Sequence, residues 1–221
     1  MAVEQVPNSY AGMRNPYNYA KVEQVSRDLM TQWLTTAEIT NQLNLFDDES
    51  QDDYVVSLDL ATRMMIEDYL GMSIFPTQFK VYYGNAGLYS TQVYLDLPAV
   101  SVQNQGASGV TLDLLQIYTT SNTEPVTVDE DDYSYDPTGN RVILSAVPNG
   151  TNNQVENPIV LTYTQNASPM AQYPVIKQAG LMMLTHLYNN RSATVTGVIN
   201  PGVPLPYGFA SLLRLYKPLV M

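Results

Sequence analysis

The sequence contains no cysteine among its 221 residues and only one histidine, His186. Disulfides, zinc fingers and cysteine nucleophiles are therefore excluded, and no metal site can use two imidazoles. Charged residues make up only 14% of the chain, well below the usual share, whereas hydrophobic residues reach 45%, which is enough for a core. No apolar run approaches the ~18 residues needed to cross a bilayer, and the N-terminus has no signal-peptide pattern. The sequence therefore predicts a chain that neither spans nor binds a membrane.

Acidic residues are absent after Glu156. The chain up to that position holds six bases and all 21 acids, a balance of −15, and the chain from Asn157 onward holds four bases and no acid, a balance of +4. Affinity for duplex DNA comes mostly from Lys and Arg, so the total of −11 argues against a protein that grips DNA. This uneven distribution of charge has two interpretations: ordinary surface charge, or two surfaces that face different partners. The four C-terminal bases are Lys177, Arg191, Arg214 and Lys217.

Helical signals occur near both ends of the chain. Thr35 followed by Glu38 predicts a capping box, and the acid-led segment after it reaches Gly71, a residue suited to a helix C-terminus. We therefore predict a helical hairpin over 35–70. Helical spacing returns at Pro174, which suits a first helical position. The apolar face predicted for the second helix of the hairpin consists of Val55, Leu58, Met65, Ile66 and Tyr69.

The middle of the chain, 74–165, has short alternating runs rich in β-branched and aromatic residues between turn signals. Five or six antiparallel strands are predicted there, in the runs FKVYY, TQVYLDL, DLLQIYT, RVILSAV and PIVLTYT. A proline-rich loop is predicted over 195–208, before a short last helix. The segment 1–30 shows no apolar period; it is interpreted as an extended arm ordered against a neighbour, with a disordered tail as the alternative.

The predicted fold class is α+β, a helical bundle with an inserted antiparallel β-rich region. The predicted segments are an extended N-terminal arm at 1–33, a helical hairpin at 34–72, a β-rich insertion at 73–168, and C-terminal bundle helices with the proline-rich loop at 169–221.

The sequence offers little catalytic or metal-binding chemistry. The acids at 47–53 and 129–132 lack the glycine and glutamate of an EF-hand loop, so a solvated acidic face or a helix start is favoured over a looser calcium site. A serine triad would need an acid and a Gly-x-Ser-x-Gly turn, and His186 is followed by no acid. No phosphate loop or dinucleotide fingerprint occurs. We therefore predict no catalytic residue, no metal and no cofactor, although a carboxylate pair in the β region stays open.

Six stretches, taken in order, resemble the head-tail connector, or adaptor, proteins of tailed bacteriophages, which add a ring beneath the portal. The resemblance covers about residues 34–218. The sequence departs from the family in its arm at 1–30, its enlarged β region around 84–92 and 103–125, and its short C-terminus. The stretches are LTTAEITNQLNL, DDYVVSLDLATRMMIEDYLGMSI, LDLPAVSVQ, DDYSYDPTGNRVIL, YPVIKQAGLMMLTHLYNNRS and LPYGFASLLRLYKP.

The resemblance implies a structural protein without catalysis, made in the host cytoplasm and located in the virion neck at the head-tail junction. It implies a homomeric ring, usually a dodecamer, that binds the portal on one side and a tail, nozzle or tail-terminator protein on the other. DNA would pass through the channel during ejection without sequence-specific binding. Two alternatives stay open: a decoration or baseplate-type binding module, and a phage carbohydrate hydrolase that uses carboxylates of the β region.

The same resemblance implies interface residues in the last two helices. Some of them carry the pattern of the helix that begins at Pro174. The others belong to the closing helix, which is expected to pack against the bundle or the portal. The candidates are Ile176, Lys177, Tyr188, Arg191, Leu212, Leu213, Arg214, Tyr216 and Lys217.

Overall fold

The fold of the protein is α+β in a computed structural model, as the sequence predicts. The structure describes residues 18–46, 49–84, 93–98, 109–119, 124–145, 155–191 and 207–217. Several predicted features lie outside these ranges. They are positions 1–17 of the arm, the acids at 47 and 48, positions 85–92, 103–108 and 120–123 of the enlarged β segments, and the proline-rich loop up to position 206.

Four α-helices occur in the described part of the chain. They are α1 (Thr36–Leu43), α2 (Asp52–Leu70), α3 (Pro174–Asn189) and α4 (Tyr207–Leu213). Short 3₁₀ turns precede α2 and α3, at Glu49–Gln51 and Pro169–Gln172, and a third follows α4 at Arg214–Tyr216.

Local signals fix the limits of the predicted hairpin. The capping box is present, because the Thr35 side chain accepts from the Glu38 N–H and the Glu38 carboxylate accepts from the Thr35 N–H. Helix α1 ends at Asn44 in the left-handed conformation, with φ of 56°. Helix α2 ends at Gly71, whose φ of 63° disfavours residues with a Cβ.

Eight strands form two antiparallel sheets in the described ranges. The first sheet has the order β1-β2-β8-β4-β5, and the second has the order β3-β7-β6. The predicted hairpin around the turn at 137–140 is present as β6 and β7, with Tyr133 opposite Leu144. The strands are β1 (Tyr19–Arg27), β2 (Thr77–Tyr83), β3 (Val93–Asp96), β4 (Val110–Ile117), β5 (Val126–Thr127), β6 (Tyr133–Asp136), β7 (Arg141–Leu144) and β8 (Ile159–Gln165).

The chain divides into two compact units. The strand unit contains the described residues up to Ser26 and Thr77–Asn166, and its apolar core joins side chains of both sheets, such as Val81, Leu161 and Val142. The helical unit contains Arg27–Pro76 and the described residues from Ala167 onward. Its core is built from all four helices and from the segments beside them. The β-rich region that is inserted in the sequence therefore has an apolar core of its own.

Two details differ from the sequence-based expectations. Part of the predicted arm, Tyr19–Arg27, is extended but forms strand β1 at the edge of the chain's own sheet. Met65 was predicted to face the core, yet its side chain is 37% exposed. The buried face of α2 instead includes the charged residues Asp59, Arg63 and Glu67, and Met65 lies outside it.

Candidate interface of the helical unit

Helix α3 is the centre of the helical unit, since α1, α2 and α4 all contact it. The helix begins at Pro174, whose fixed φ suits a first helical position. Its buried residues recur at the spacing of one helix face, so α3 supplies a continuous apolar stripe. These residues are Ile176, Ala179, Gly180, Met183 and Leu184.

Gly180 allows α3 to approach the indole of Trp33 closely. A Cβ at this position would lie 2.6 Å from Cζ3 and 2.8 Å from Cη2 of that ring. The ring is held in place, because the Trp33 Nε1–H donates to the Ala171 carbonyl at 3.2 Å. The Trp33 backbone N–H donates to the Asp59 carboxylate at 2.9 Å. A larger side chain at position 180 would therefore contact an indole ring that is held in place by hydrogen bonds.

The first turn of α3 is tied to α1 by an ion pair. Lys177 Nζ donates to Glu38 Oε1 at 3.0 Å, and both side chains are partly buried. Glu38 also closes the capping box of α1, so one carboxylate serves both helices. The backbone N–H of Thr35, together with Lys177, lowers the pKa of Glu38 below its usual value.

The last turn of α3 carries a cluster of aromatic and cationic groups. The Arg191 guanidinium lies 4.5 Å from the ring centroid of Tyr54 and 4.8 Å from that of Tyr188. The Tyr188 hydroxyl donates to Gln51 Oε1 at 2.9 Å, and Arg191 donates to the same oxygen. Gln51 and Tyr54 lie at the start of α2, so this cluster joins the end of α3 to the start of α2.

The contacts described for His186 are those of a helix end. His186 is partly buried in the last turn of α3. The Asn190 side-chain amide lies 3.3 Å from His186 Nδ1 and donates to the His186 carbonyl at 2.8 Å. These contacts finish the helix, because they satisfy a carbonyl left open in its last turn.

The C-terminal segment packs onto the bundle through aromatic and apolar side chains. Phe209 and Leu213 are buried in the core, and the Phe209 ring lies 5.8 Å from that of Tyr69. Tyr216 meets the edge of Tyr173 with ring centroids 6.1 Å apart. Other side chains of the segment differ in exposure. Lys217 lies over the Tyr69 ring at 4.8 Å, Leu212 is partly buried and packs on the core, and Arg214 is exposed.

The nine predicted interface residues therefore fall into two groups. Ile176 and Leu213 are fully buried in the core of the helical unit. The other residues are exposed or partly buried, and they lie at both ends of α3 and in the C-terminal segment. This second group contains Lys177, Tyr188, Arg191, Leu212, Arg214, Tyr216 and Lys217.

A charged stripe inside the helical unit was missed by the sequence analysis. Arg63 is fully buried; it donates to the Thr31 carbonyl at 2.8 Å and also to the Asp28 carbonyl, and its guanidinium lies 4.9 Å from the Phe75 ring centroid. Glu67, which is 4% exposed, accepts from Arg27 Nε at 2.9 Å. The spacing of positions 59, 63 and 67, one turn apart on α2, was the available signal.

This stripe fixes the segment that leads into α1. The Asp59 carboxylate accepts from the backbone N–H groups of Trp33 and Leu34, at 2.9 and 3.1 Å. Burial raises the pKa of Asp59 above its usual value, although these two hydrogen bonds oppose the change. The Asp28 carboxylate accepts from the hydroxyl and backbone N–H of Thr31, which lower its pKa to about 2. The Asp59 carboxylate and the Arg63 guanidinium both bind backbone groups of this segment, and these bonds hold it in place.

The acidic run at 129–132 forms a capped turn. The Asp129 side chain accepts from the Asp131 N–H at 3.1 Å and caps the 3₁₀ turn Glu130–Asp132. Within the described ranges, no group of three or more His, Asp or Glu side chains could hold a metal ion. No described helix has the length and apolar character needed to span a bilayer.

Comparisons with known proteins identify the fold. No family model matches the sequence, and no curated protein matches it significantly. The chain is similar to a chain in the neck of an empty gene transfer agent particle computed with C6 symmetry. The TM-score is 0.61 at 17% identity, and the match covers 91% of this chain and 97% of the other.

Two further structures of native gene transfer agent particles match over the same shares of both chains. One is the virion, with a TM-score of 0.55, and the other is the neck computed with C12 symmetry, with a TM-score of 0.56; both are 16% identical in sequence. At this level of identity the similarity shows the fold alone. The protein thus has the fold of a chain found in the neck of a phage-like particle.

Proposed function

We propose that the protein is a structural component of the neck of a phage-like particle, an adaptor that forms a homomeric ring between portal and tail. The observation that carries this proposal is the fold similarity to chains in gene transfer agent necks, which extends over 91% of the chain. That length includes both units, so the likeness is not limited to a common helical motif. Neck structures computed with C6 and C12 symmetry support a ring of identical subunits, with a dodecamer as the expected form.

The helical unit is proposed to build the ring and to dock on the portal. Lys177 and Arg191 hold α3 against α1 and α2 through the contacts described above, which makes the unit a rigid block suited to repeated side-by-side packing. The strand unit is proposed to contact neighbouring subunits or the tail protein. DNA is proposed to pass through the channel without sequence-specific contacts. The net charge of −11 supports this, because acidic surfaces offer phosphates no counter-charge.

Electron microscopy of the purified protein, alone and mixed with the portal of the same particle, tests the proposal. We expect rings with a central channel, coaxial with the portal when both are present. A pull-down on immobilised portal separates an adaptor from a decoration or baseplate protein, which would not be retained. A folded protein that stays monomeric and is not retained by the portal would contradict the proposal.

A polysaccharide-hydrolysis assay tests the enzymatic alternative. Alanine substitutions at 129–132 remove exposed carboxylates of the strand unit. A structural adaptor shows no turnover in the wild type or in any of these variants. Turnover that disappears with one of the substitutions would identify a hydrolase instead.

A further inference from the structure

Helix α2 has an outer face that combines small and apolar side chains with an acid at each end. Val56 is 41% exposed, and Ala61, further along the helix, is also exposed. Asp53 and Asp68 are exposed near the two ends of the helix. These four positions lie within about 140° of the circumference when each residue turns the helix by about 100°, so they form one stripe. We name Asp53, Val56, Ala61 and Asp68 the acidic face.

Two cations lie along the adjacent side of the same helix. Arg191 stacks over Tyr54 near the start of α2, and Lys217 stacks over Tyr69 near its end, with cation-to-centroid distances of 4.5 and 4.8 Å. Close to Lys217 in the chain is Leu215, whose side chain is 86% exposed. We name Arg191, Leu215 and Lys217 the cationic flank.

The two surfaces match in spacing as well as in sign. The acids stand at positions 53 and 68, and the tyrosines under the cations stand at 54 and 69, so the two pairs have the same separation in sequence. At a helical rise of about 1.5 Å per residue, each separation is about 22 Å along the axis of α2. Each acid also directly precedes its tyrosine, so acids and cations follow the same order along the helix. A surface that carries the acids therefore matches a surface that carries the cations without any axial shift.

We propose that the acidic face of one subunit packs against the cationic flank of the next copy in the ring. This inference rests on the proposed ring. Rotation about an axis roughly parallel to α2 keeps neighbouring subunits parallel and at the same height. Asp53 of one copy then faces Arg191 of the next, and Asp68 faces Lys217. The surfaces differ from one another, which is the requirement for a closed heterologous ring.

Apolar and charged groups have different roles in this contact. Leu215 of one copy fits against the Val56 and Ala61 part of the acidic face, which removes apolar surface from water. The two charge pairs set the register and exclude wrong alignments. Asp68 already contacts Arg27 of its own chain at 3.2 Å, yet its side chain remains 73% exposed and accessible to a second cation. A second copy is the occupant favoured by this complementarity, because both halves of the match occur on one chain.

Charge reversal tests the pairing. One variant carries Asp53→Lys with Asp68→Lys, and another carries Arg191→Glu with Lys217→Glu. Each variant places like charges opposite each other, so we expect ring formation to be lost. Combining all four substitutions restores opposite charges and should restore rings. Mixing the two double variants should also restore rings. In an alternating ring, each reversed acidic face meets a reversed cationic flank, and each unchanged acidic face meets an unchanged flank, so every contact joins opposite charges.

The measurement is native mass spectrometry together with sedimentation velocity at low ionic strength, where exposed charges are least screened. A control variant, Glu130→Lys with Asp131→Lys, makes the same change in net charge as the first double variant at exposed positions of the strand unit, and it should form rings. Circular dichroism confirms that each variant is folded.

The possible outcomes separate this inference from the proposed function. Rings from both double variants at wild-type yield would overturn the interface and leave the adaptor proposal intact. Failure of the folded four-substitution variant to recover rings would overturn the specific pairing. A wild-type protein that forms no ring, alone or with the portal, would contradict the proposed function itself.

Discussion

Replacing Gly180 with alanine tests whether the close approach of α3 to Trp33 sets the stability of the helical unit. Two effects oppose each other in this substitution. Alanine favours a helix interior over glycine by about 1 kcal/mol. The new Cβ would lie 2.6 Å from Trp33 Cζ3, 2.8 Å from Cη2 and 3.4 Å from the Ile66 Cδ1 atom. Overpacking a filled core costs about 1–3 kcal/mol, and the hydrogen bonds of Trp33 restrict its movement.

Because the 2.6 Å contact is far inside van der Waals distance, we take the upper part of that range, about 2–3 kcal/mol, and expect a net loss of about 1–2 kcal/mol in the free energy of unfolding of the helical unit. Trp33 is the only tryptophan in the chain, so its fluorescence during urea unfolding reports on this unit. Gly208→Ala is the matched control. Among the described residues, its Cβ would meet the Met182 Cε atom at 2.7 Å, which is the end of a flexible side chain. The control should remain within about 0.5 kcal/mol of the wild type.

A double-mutant cycle identifies the cause of the loss. Trp33→Phe shortens the side chain and removes its outer atoms, which include Cζ3 and Cη2, so Gly180→Ala should cost less in that background, with a coupling of about 1 kcal/mol. Circular dichroism replaces fluorescence for the variants without tryptophan. A Gly180→Ala variant that is as stable as the wild type, or more stable, would refute the reasoning. The helix propensity of alanine would then equal or exceed the cost of the contact with Trp33.

Further predictions concern buried charge, pH and the C-terminal segment. Arg63→Met should lower the free energy of unfolding by about 3 kcal/mol in urea titrations, because it removes the donor to the Thr31 and Asp28 carbonyls and a buried cation 3.9 Å from the Glu67 carboxylate; an unchanged midpoint would show that the stripe is not stabilising. The lowered pKa of Glu38 means that its contribution to stability is present above the usual value of 4.5 and is lost as pH falls through the lowered pKa. Glu38→Gln and Lys177→Met should therefore both flatten the acid limb of the stability profile, and a profile like that of the wild type would contradict the ion pair. Replacing Leu212 and Leu213 with aspartate should abolish ring formation, and circular dichroism should show a loss of folding because Leu213 is fully buried; intact rings would refute this.

The elements that the sequence predicts well are those with local signals. The capping box at Thr35, the left-handed Gly71 and the proline at position 174 determine helix limits through neighbouring residues alone. The strands with clear alternation, such as β2 and β8, were also predicted. Strand β1 was missed because its side chains are largely exposed on both faces, so its sequence shows no period-2 burial. Strand β5 has only two residues and leaves no pattern to read.

The sequence alone does not tell which of the interface candidates are buried. The family pattern on α3 includes both Ile176 and Arg191, and the sequence does not distinguish the buried residue from the surface cation. The face predicted for α2 from the sequence held only apolar and aromatic residues, whereas Arg63 and Glu67 are buried as well. A charged side chain can be buried only where partners satisfy it, and these partners lie far away in the sequence. The sequence alone does not identify them.

The most direct test of the account is electron microscopy of the purified protein, imaged alone and in complex with the portal of the same particle. The account predicts a closed ring of identical subunits with an open channel, stacked coaxially on the portal. A well-folded protein that remains monomeric at all concentrations and does not bind the portal would contradict it.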